Sequence, residues 1–174
     1  MNRVSGILLL LLLFLPGKAF AAELPLWEFG LRGGMDARGV DESFAAGEGY
    51  LLRALPWQVA LGGGTLTARV DLGAGYLEAA DDHGGWLAAG GDLVWLLGES
   101  PVAVEVGFRP AWLYDHNYGT EDFGGDLQFS SHAGVALRFS RLVVSYRYQH
   151  LSNAGIYDSN DGLDLHLLGV GTGF

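Results

Sequence analysis

Residues 66–76 read Leu-Thr-Ala-Arg-Val-Asp-Leu-Gly-Ala-Gly-Tyr, and this stretch decides the fold. Apolar side chains occupy every second position from Leu66 to Tyr76, and the positions between them carry a hydroxyl group, a charge or glycine. Successive residues of a β-strand point to opposite faces, so this period of two predicts a strand with one apolar and one polar face.

The same alternation recurs along most of the chain. It predicts strands at residues 26–32, 50–55, 66–76, 87–97, 102–114, 129–139, 142–152 and 164–174. A tilted strand of about ten residues crosses a bilayer, and eight strands form the smallest common closed membrane barrel. The sequence therefore predicts an all-β fold, an eight-stranded antiparallel transmembrane β-barrel.

The predicted connections alternate between short and long. Turns at 98–101 and 140–141 are short, whereas the polar stretches at 36–43, 80–85, 115–126 and 153–162 are longer. Outer-membrane barrels have short periplasmic turns and long external loops. We therefore interpret the acidic stretches as solvated external loops, with a dedicated cation site as the alternative.

A soluble β-sandwich would use the same alternation, but two features favour a membrane barrel. The second face of the strands carries charges of both signs, which can pair in a narrow barrel interior: Arg69, Asp71, Asp92, Glu105, Arg109, Arg138 and Arg147. The last residue, Phe174, ends an alternating strand in the manner of the sorting signal of outer-membrane barrels.

The N-terminus has the pattern of a secretory signal peptide. Arg3 precedes an apolar run at residues 7–15, and Ala19-Phe20-Ala21 supplies small residues before a cleavage site. The alternative, a membrane-anchoring helix, needs about 20 apolar residues, more than this run provides. We expect a signal peptide at residues 1–22 and a barrel domain at residues 23–174. The chain has no cysteine, which excludes a lipoprotein anchor and disulfides.

The charge of the chain excludes nucleic acid as a partner. Removal of the signal peptide takes away Arg3 and Lys18, which leaves 10 − 2 = 8 basic residues against 20 acidic ones, a net charge of 8 − 20 = −12. Phosphate binding to nucleic acid needs clustered Lys and Arg. No group of residues has the spacing of a zinc site, so no metal is expected.

Three side chains that suit ester hydrolysis are expected on one outer patch. His150 and Ser152 share the outward parity of the penultimate strand, and Asp164 shares that of Phe174 in the last strand. An imidazole accepts the proton of a serine nucleophile, and a carboxylate orients the imidazole. The alternative is that these residues only mark the polar rim of an ordinary barrel.

The end of the chain resembles a known family. Residues 150–155 read His-Leu-Ser-Asn-Ala-Gly and residues 160–164 read Asn-Asp-Gly-Leu-Asp, which is similar to the C-terminal signature of the lipid A 3-O-deacylase family known as PagL. The resemblance implies that Ser152 is the nucleophile, His150 the general base and then acid, and Asp164 the orienting carboxylate. It places the oxyanion-binding groups at Asn153, Ala154 and Gly155. The family usually has Glu where this chain has Asp164.

The resemblance also implies a location and a substrate. Members are outer-membrane esterases that remove the 3-hydroxyacyl chain at position 3 of lipid A, so lipid A or lipopolysaccharide would be the partner and the active site would face the outer leaflet. Hydrolysis of this kind needs no cofactor. A homodimer stays open. The alternatives are a non-catalytic barrel with an anchoring or adhesion role, and an enzyme that transfers the acyl group or cleaves phospholipids.

Overall fold

The computed structural model describes residues 24–37 and 42–174, and the regular elements within them are β-strands. No helix among these residues is long and apolar enough to cross a membrane. The predicted signal peptide, residues 1–22, lies outside the described residues.

The strands follow one another with mostly short connections. Their bounds are β1 (Trp27–Asp36), β2 (Phe44–Leu61), β3 (Gly64–Ala79), β4 (Asp82–Leu96), β5 (Val102–Leu113), β6 (Asn117–Tyr118), β7 (Glu121–Asp122), β8 (Leu127–Phe139), β9 (Leu142–Ser152) and β10 (Leu163–Gly173). Eight of them close into an antiparallel barrel in the order β1-β10-β9-β8-β5-β4-β3-β2, while β6 and β7 form a small separate hairpin. The predicted fold class is confirmed.

The two ends of the barrel differ. We call the end with the tight connections at 62–63, 97–101 and 140–141 the turn end, and β1 begins and β10 finishes there. We call the opposite end the loop end, because the connections at 114–126 and 153–162 lie there. This arrangement matches the alternation expected from the sequence except at residues 80–85, where the connection is short.

Several strand boundaries differ from the sequence prediction, and the largest differences are in β2 and between β3 and β4. β2 spans 18 residues rather than the predicted 50–55, because small and charged residues before Tyr50 hide its alternation and Pro56 lies at an irregularity in its pairing with β3. The predicted loop at 80–85 is a two-residue turn, since β3 continues to Ala79 and β4 starts at Asp82. β3 and β4 therefore extend further toward the loop end than expected.

Ion pairs fill the middle of the barrel interior. Arg109 is fully buried and donates to Glu48 Oε1 at 2.6 Å and to Asp71 Oδ1 at 3.1 Å. Arg147 donates to the other oxygen of Asp71 at 3.1 Å, and Arg69 donates to Asp92 at 2.8 Å. Buried charges are tolerated when partners of opposite sign satisfy them, so the second face of the strands packs inward as predicted.

Apolar side chains close the interior on both sides of these ion pairs. The cluster toward the loop end includes residues from the strands and from the 114–126 connection: Phe44, Leu77, Trp86, Leu113, Tyr118, Phe123, Leu151, Leu163 and Leu165. Burial, with the nearby carboxylates of Asp115 and Asp82, raises the pKa of Tyr118 to about 12, so this phenol stays neutral. A smaller cluster around Val94 and Val143 lies toward the turn end.

The outer wall is apolar. Large hydrophobic side chains are exposed on every barrel strand, among them Leu31, Leu51, Leu72, Leu93, Phe108, Val135, Tyr146 and Leu168. Phe174 is also exposed and contacts Phe29 edge to face. A wall of this kind suits contact with lipid acyl chains rather than with water.

Candidate active site

Two neighbouring strands bring the predicted catalytic residues to one part of the outer wall, beside a third strand. In the strand register, His150 of β9 lies directly opposite Asp164 of β10 on one side and Ser131 of β8 on the other. Ser152 is the last residue of β9, two positions beyond His150, so its side chain leaves the same face of the sheet. All four residues lie at the loop end of the barrel.

The histidine and the carboxylate of the site are in direct contact. His150 Nδ1 lies 2.9 Å from Asp164 Oδ1. The side chain of His150 is 45% exposed whereas that of Asp164 is 7% exposed. The buried carboxylate therefore contacts one edge of the ring and leaves the rest of the ring accessible. If the carboxylate accepts the Nδ1 proton, the lone pair of Nε2 is available as a base. Asp164 reaches the ring directly because the two residues are a cross-strand pair.

Ser152 is close to this pair but not bonded to it. A Cβ atom added to Gly162 would lie 3.7 Å from His150 Cε1 and 3.9 Å from Ser152 Cβ, so the imidazole and the serine flank the same glycine. Within the described residues, the Ser152 hydroxyl makes no hydrogen bond. Catalytic hydrogen bonds are often long in the absence of substrate and tighten in the complex.

The connection after Ser152 is held by Asn153. This side chain is fully buried, and its Nδ2 donates to the carbonyl oxygens of Phe123 at 2.8 Å and Ser159 at 2.6 Å. Its Oδ1 accepts from Gly155 N at 2.7 Å, and its own backbone N–H donates to Asn160 Oδ1 at 3.0 Å. Asn153 therefore ties the 153–162 connection to itself and to the 114–126 connection.

The expected oxyanion-binding residues form a tight turn. Ile156 N donates to Asn153 O, and the two central residues, Ala154 and Gly155, have φ angles of 55° and 78°. This is the hydrogen bond and backbone pattern of a type I′ turn, which is unfavourable for alanine. The N–H groups of Asn153 and Gly155 donate to the side chains of Asn160 and Asn153, within the 153–162 connection. Among these three, the Ala154 N–H has no acceptor in the part of the chain that the structure describes.

Two further residues shape the site; the sequence analysis named them only as part of the 160–164 motif and gave them no role of their own. Asn160 folds back over seven residues to accept from Asn153, and Gly162 has a φ of 67° where it passes His150 and Ser152. Asn side chains commonly bond nearby backbone groups in turns, and glycine favours positive φ. These preferences are the only sequence signal for the roles of Asn160 and Gly162, and they do not identify the backbone group that Asn160 bonds.

Asn153→Ala should loosen the 153–162 connection while the barrel stays closed. The change removes three side-chain hydrogen bonds, to Phe123 O, Ser159 O and Gly155 N, each worth about 0.5–1.5 kcal/mol. We expect limited proteolysis of the refolded barrel to cut this connection faster. Asp158→Ala is the matched control, because Asp158 is an exposed side chain of the same connection. Equal cleavage rates for Asn153→Ala and the parent protein would contradict this role.

Another histidine and a cluster of possible metal ligands lie outside the candidate active site. His166 is on the outer wall, where Tyr146 Oη lies 2.7 Å from its Nδ1. In the interior, Asp71, Asp92 and His132 place ligand atoms within 4.8 Å of one another. Both carboxylates already accept hydrogen bonds from arginine side chains, which is a poor donor set for a cation.

The structure has an apolar outer wall, a filled interior, and a Ser, a His and a carboxylate together on that wall. These features define the class of protein: a small outer-membrane β-barrel with groups suited to ester chemistry on its exterior. The model of the family described as lipid A 3-O-deacylase (PagL) matches residues 48–172. This match covers most of the chain, so the chain belongs to the lipid A 3-O-deacylase (PagL) family of bacterial outer-membrane enzymes. The family predicted from residues 150–164 is confirmed.

The comparison of structures agrees on the fold. The structure described as the crystal structure of the outer membrane enzyme PagL matches with a TM-score of 0.75 and 22% sequence identity, over 84% of this chain and 99% of that one. Comparison with curated protein sequences found no significant match.

Proposed function

We propose that this protein hydrolyses the ester that joins a 3-hydroxyacyl chain to position 3 of lipid A. Ser152 is the nucleophile, His150 the general base and then the general acid, and Asp164 the orienting carboxylate. The observation that carries the proposal is the 2.9 Å contact between His150 and Asp164 on the outer wall, two residues from Ser152 on the same face. Membership of a deacylase family supplies the substrate class.

The reaction follows from these positions in two stages. Ser152 Oγ attacks the ester carbonyl carbon while His150 Nε2 takes its proton, and the tetrahedral intermediate then loses the sugar oxygen, which receives that proton from His150. A water molecule next attacks the acyl-enzyme, gives its proton to His150 and displaces Ser152 Oγ, which is reprotonated. The products are a 3-hydroxy fatty acid and lipid A with a free hydroxyl at position 3.

The negative oxygen of each tetrahedral intermediate needs hydrogen-bond donors. The Ala154 N–H, two residues after Ser152, is available as a donor. The strained turn at Ala154 and Gly155 sets the direction of this N–H group. Asn153 contributes by holding the turn through its buried amide, because its own donors are used within the protein. Of the three residues expected to bind the oxyanion, we thus assign Ala154 as the hydrogen-bond donor and Asn153 and Gly155 as residues that position it.

The topology supports a membrane orientation for this proposal. Both termini of outer-membrane barrels lie on the periplasmic side, so we propose that the loop end and the three residues lie at the outer leaflet. Below them on the wall, a shallow groove of about 810 Å³ runs between β8, β9, β10 and β1, and we call it the wall groove. It is lined by Leu31, Val135, Val144, Tyr146, Leu168 and Val170. An acyl chain that lies in this groove, beside Tyr146 and Leu168, would present its ester to Ser152.

Mass spectrometry of lipid A tests the proposal. Lipid A incubated with detergent-refolded protein should lose one 3-hydroxyacyl chain, and the matching free 3-hydroxy fatty acid should appear, whereas heat-denatured protein should leave lipid A intact. Phospholipids added to the same reaction should stay intact and should not gain an acyl chain. Unchanged lipid A with folded barrel, across several lipid A forms, would favour a non-catalytic surface barrel instead.

A further inference from the structure

Ser131 places an isolated hydroxyl on the apolar outer wall. It lies opposite His150 of β9 and opposite Phe108 of β5, with Phe129 and Ala133 on the same face of its own strand. Its side chain is exposed, and its hydroxyl makes no hydrogen bond within the described residues. A hydroxyl without a partner in an apolar environment is unfavourable, so a partner from outside the protein is expected.

The side chains around His150 leave room on only one side of it. Toward β10, Asp164 contacts the ring, and further down the wall Tyr146 and Tyr148 both pack against His166. Toward β8, the residues beside His150 and Tyr148 are Ser131 and Ala133, which are small. An acyl chain that descends from Ser152 to the wall groove would therefore pass over Ser131 and Ala133.

The separation of the two serines fits one feature of the proposed substrate. Diagonal neighbours on adjacent antiparallel strands are about 7–8 Å apart, and Ser131 and Ser152 have this relation. A carbonyl carbon about 3 Å from Ser152 Oγ is followed, two carbon–carbon bonds of about 1.5 Å further on, by the carbon that carries the 3-hydroxyl group. One further bond leads from that carbon to the hydroxyl oxygen, and a hydrogen bond of about 2.8 Å from this oxygen completes the span to Ser131, along a path that bends at each atom.

We propose that Ser131 is a positioning residue that hydrogen-bonds the 3-hydroxyl group of the acyl chain, so that the enzyme selects 3-hydroxyacyl esters over unsubstituted ones. This inference rests on the proposed function and adds a selectivity to it. His166 is too far for the same task, because it lies two rows of the sheet below Ser152, about 13 Å away at 3.3 Å per residue. Its Nδ1 is also engaged by Tyr146.

Two synthetic esters test the selectivity. Both carry one fatty acyl chain at position 3 of a glucosamine and differ only in the hydroxyl group on the third acyl carbon. The parent protein should hydrolyse the hydroxylated ester with a kcat/KM about tenfold higher. Ser131→Ala should lower kcat/KM about tenfold for the hydroxylated ester and leave the other ester within about twofold, while Ser131→Thr should keep the preference. Thr172→Val, which removes an outer-wall hydroxyl at the turn end, is the control and should change neither rate.

The outcomes separate this proposal from the proposed function. A parent protein that hydrolyses both esters equally would overturn the role of Ser131 alone, and so would a Ser131→Ala variant that slows both esters by the same factor. A parent protein inactive on both esters, although folded and assayed under several detergents, would overturn the proposed function and this inference with it.

Discussion

Ser152→Ala is expected to abolish lipid A deacylation, with kcat lowered on the order of 10⁴-fold or more and the barrel still folded. Alanine has no oxygen to form the acyl-enzyme, so His150 and Asp164 have no nucleophile to activate. The residual rate should come only from substrate binding and oxyanion stabilisation. Removing one hydroxyl that makes no hydrogen bond within the described residues should cost little stability. The rate is measured by mass spectrometry, from the amount of free 3-hydroxy fatty acid that is released over time.

Ser145→Ala is the matched control for this experiment. Ser145 lies on the same strand, β9, but its parity is opposite to that of Ser152, and its hydroxyl faces Gly169 in the interior. The control should keep parental activity. Circular dichroism and the mobility difference between heated and unheated protein on gels should show that both variants fold. Activity of folded Ser152→Ala within tenfold of the parent would rule out Ser152 as the nucleophile.

The bounds of a strand could be predicted where the whole strand has its outer face in contact with lipid. From Leu66 to Tyr76 and again in β9, apolar residues at alternate positions face outward and the residues between them face inward, as the sequence predicts. The prediction failed for the start of β2 and for the turn after Ala79, because these segments extend beyond the apolar band at the loop end, and it failed for the end of β2 because the pairing with β3 is irregular around Pro56. Outside that band neither face has to be apolar, so the alternation that marks a strand is lost.

The candidate site was predictable to the level of which face each residue occupies. Parity alone placed His150, Ser152 and Asp164 on the outer wall. Their distances were not predictable, because the register between β9 and β10 depends on how the 153–162 connection folds, and that fold depends on hydrogen bonds from Asn153 and Asn160 to particular backbone groups. The neighbour on the other side, Ser131, follows from the pairing of β8 with β9, which parity does not specify.

Asp164→Asn is expected to lower kcat by about 10²–10⁴-fold with little change in KM. The amide has nearly the shape of the carboxylate, so the buried position can still be filled. An amide that donates to Nδ1 would, however, favour the tautomer with the proton on Nε2, and that nitrogen could then no longer accept the proton of Ser152. An uncharged partner would also fail to stabilise the imidazolium that forms in each stage. The assay is again the release of 3-hydroxy fatty acid across a range of lipid A concentrations.

Asp164→Glu separates the charge of this residue from its length. Glutamate is usual at this position in the family that residues 150–164 resemble, but here Asp164 already contacts His150 at 2.9 Å, so one more methylene group must be accommodated by a shift of the ring or of the carboxylate. We expect Asp164→Glu to retain activity within about tenfold of the parent, since the negative charge and an oxygen near Nδ1 both persist. Thermal unfolding of both variants should stay close to that of the parent. If Asp164→Asn and Asp164→Glu lost activity equally, the fit of this side chain in the wall would matter more than its charge, and Asp164 would be a structural support for β10 rather than the orienting carboxylate of His150.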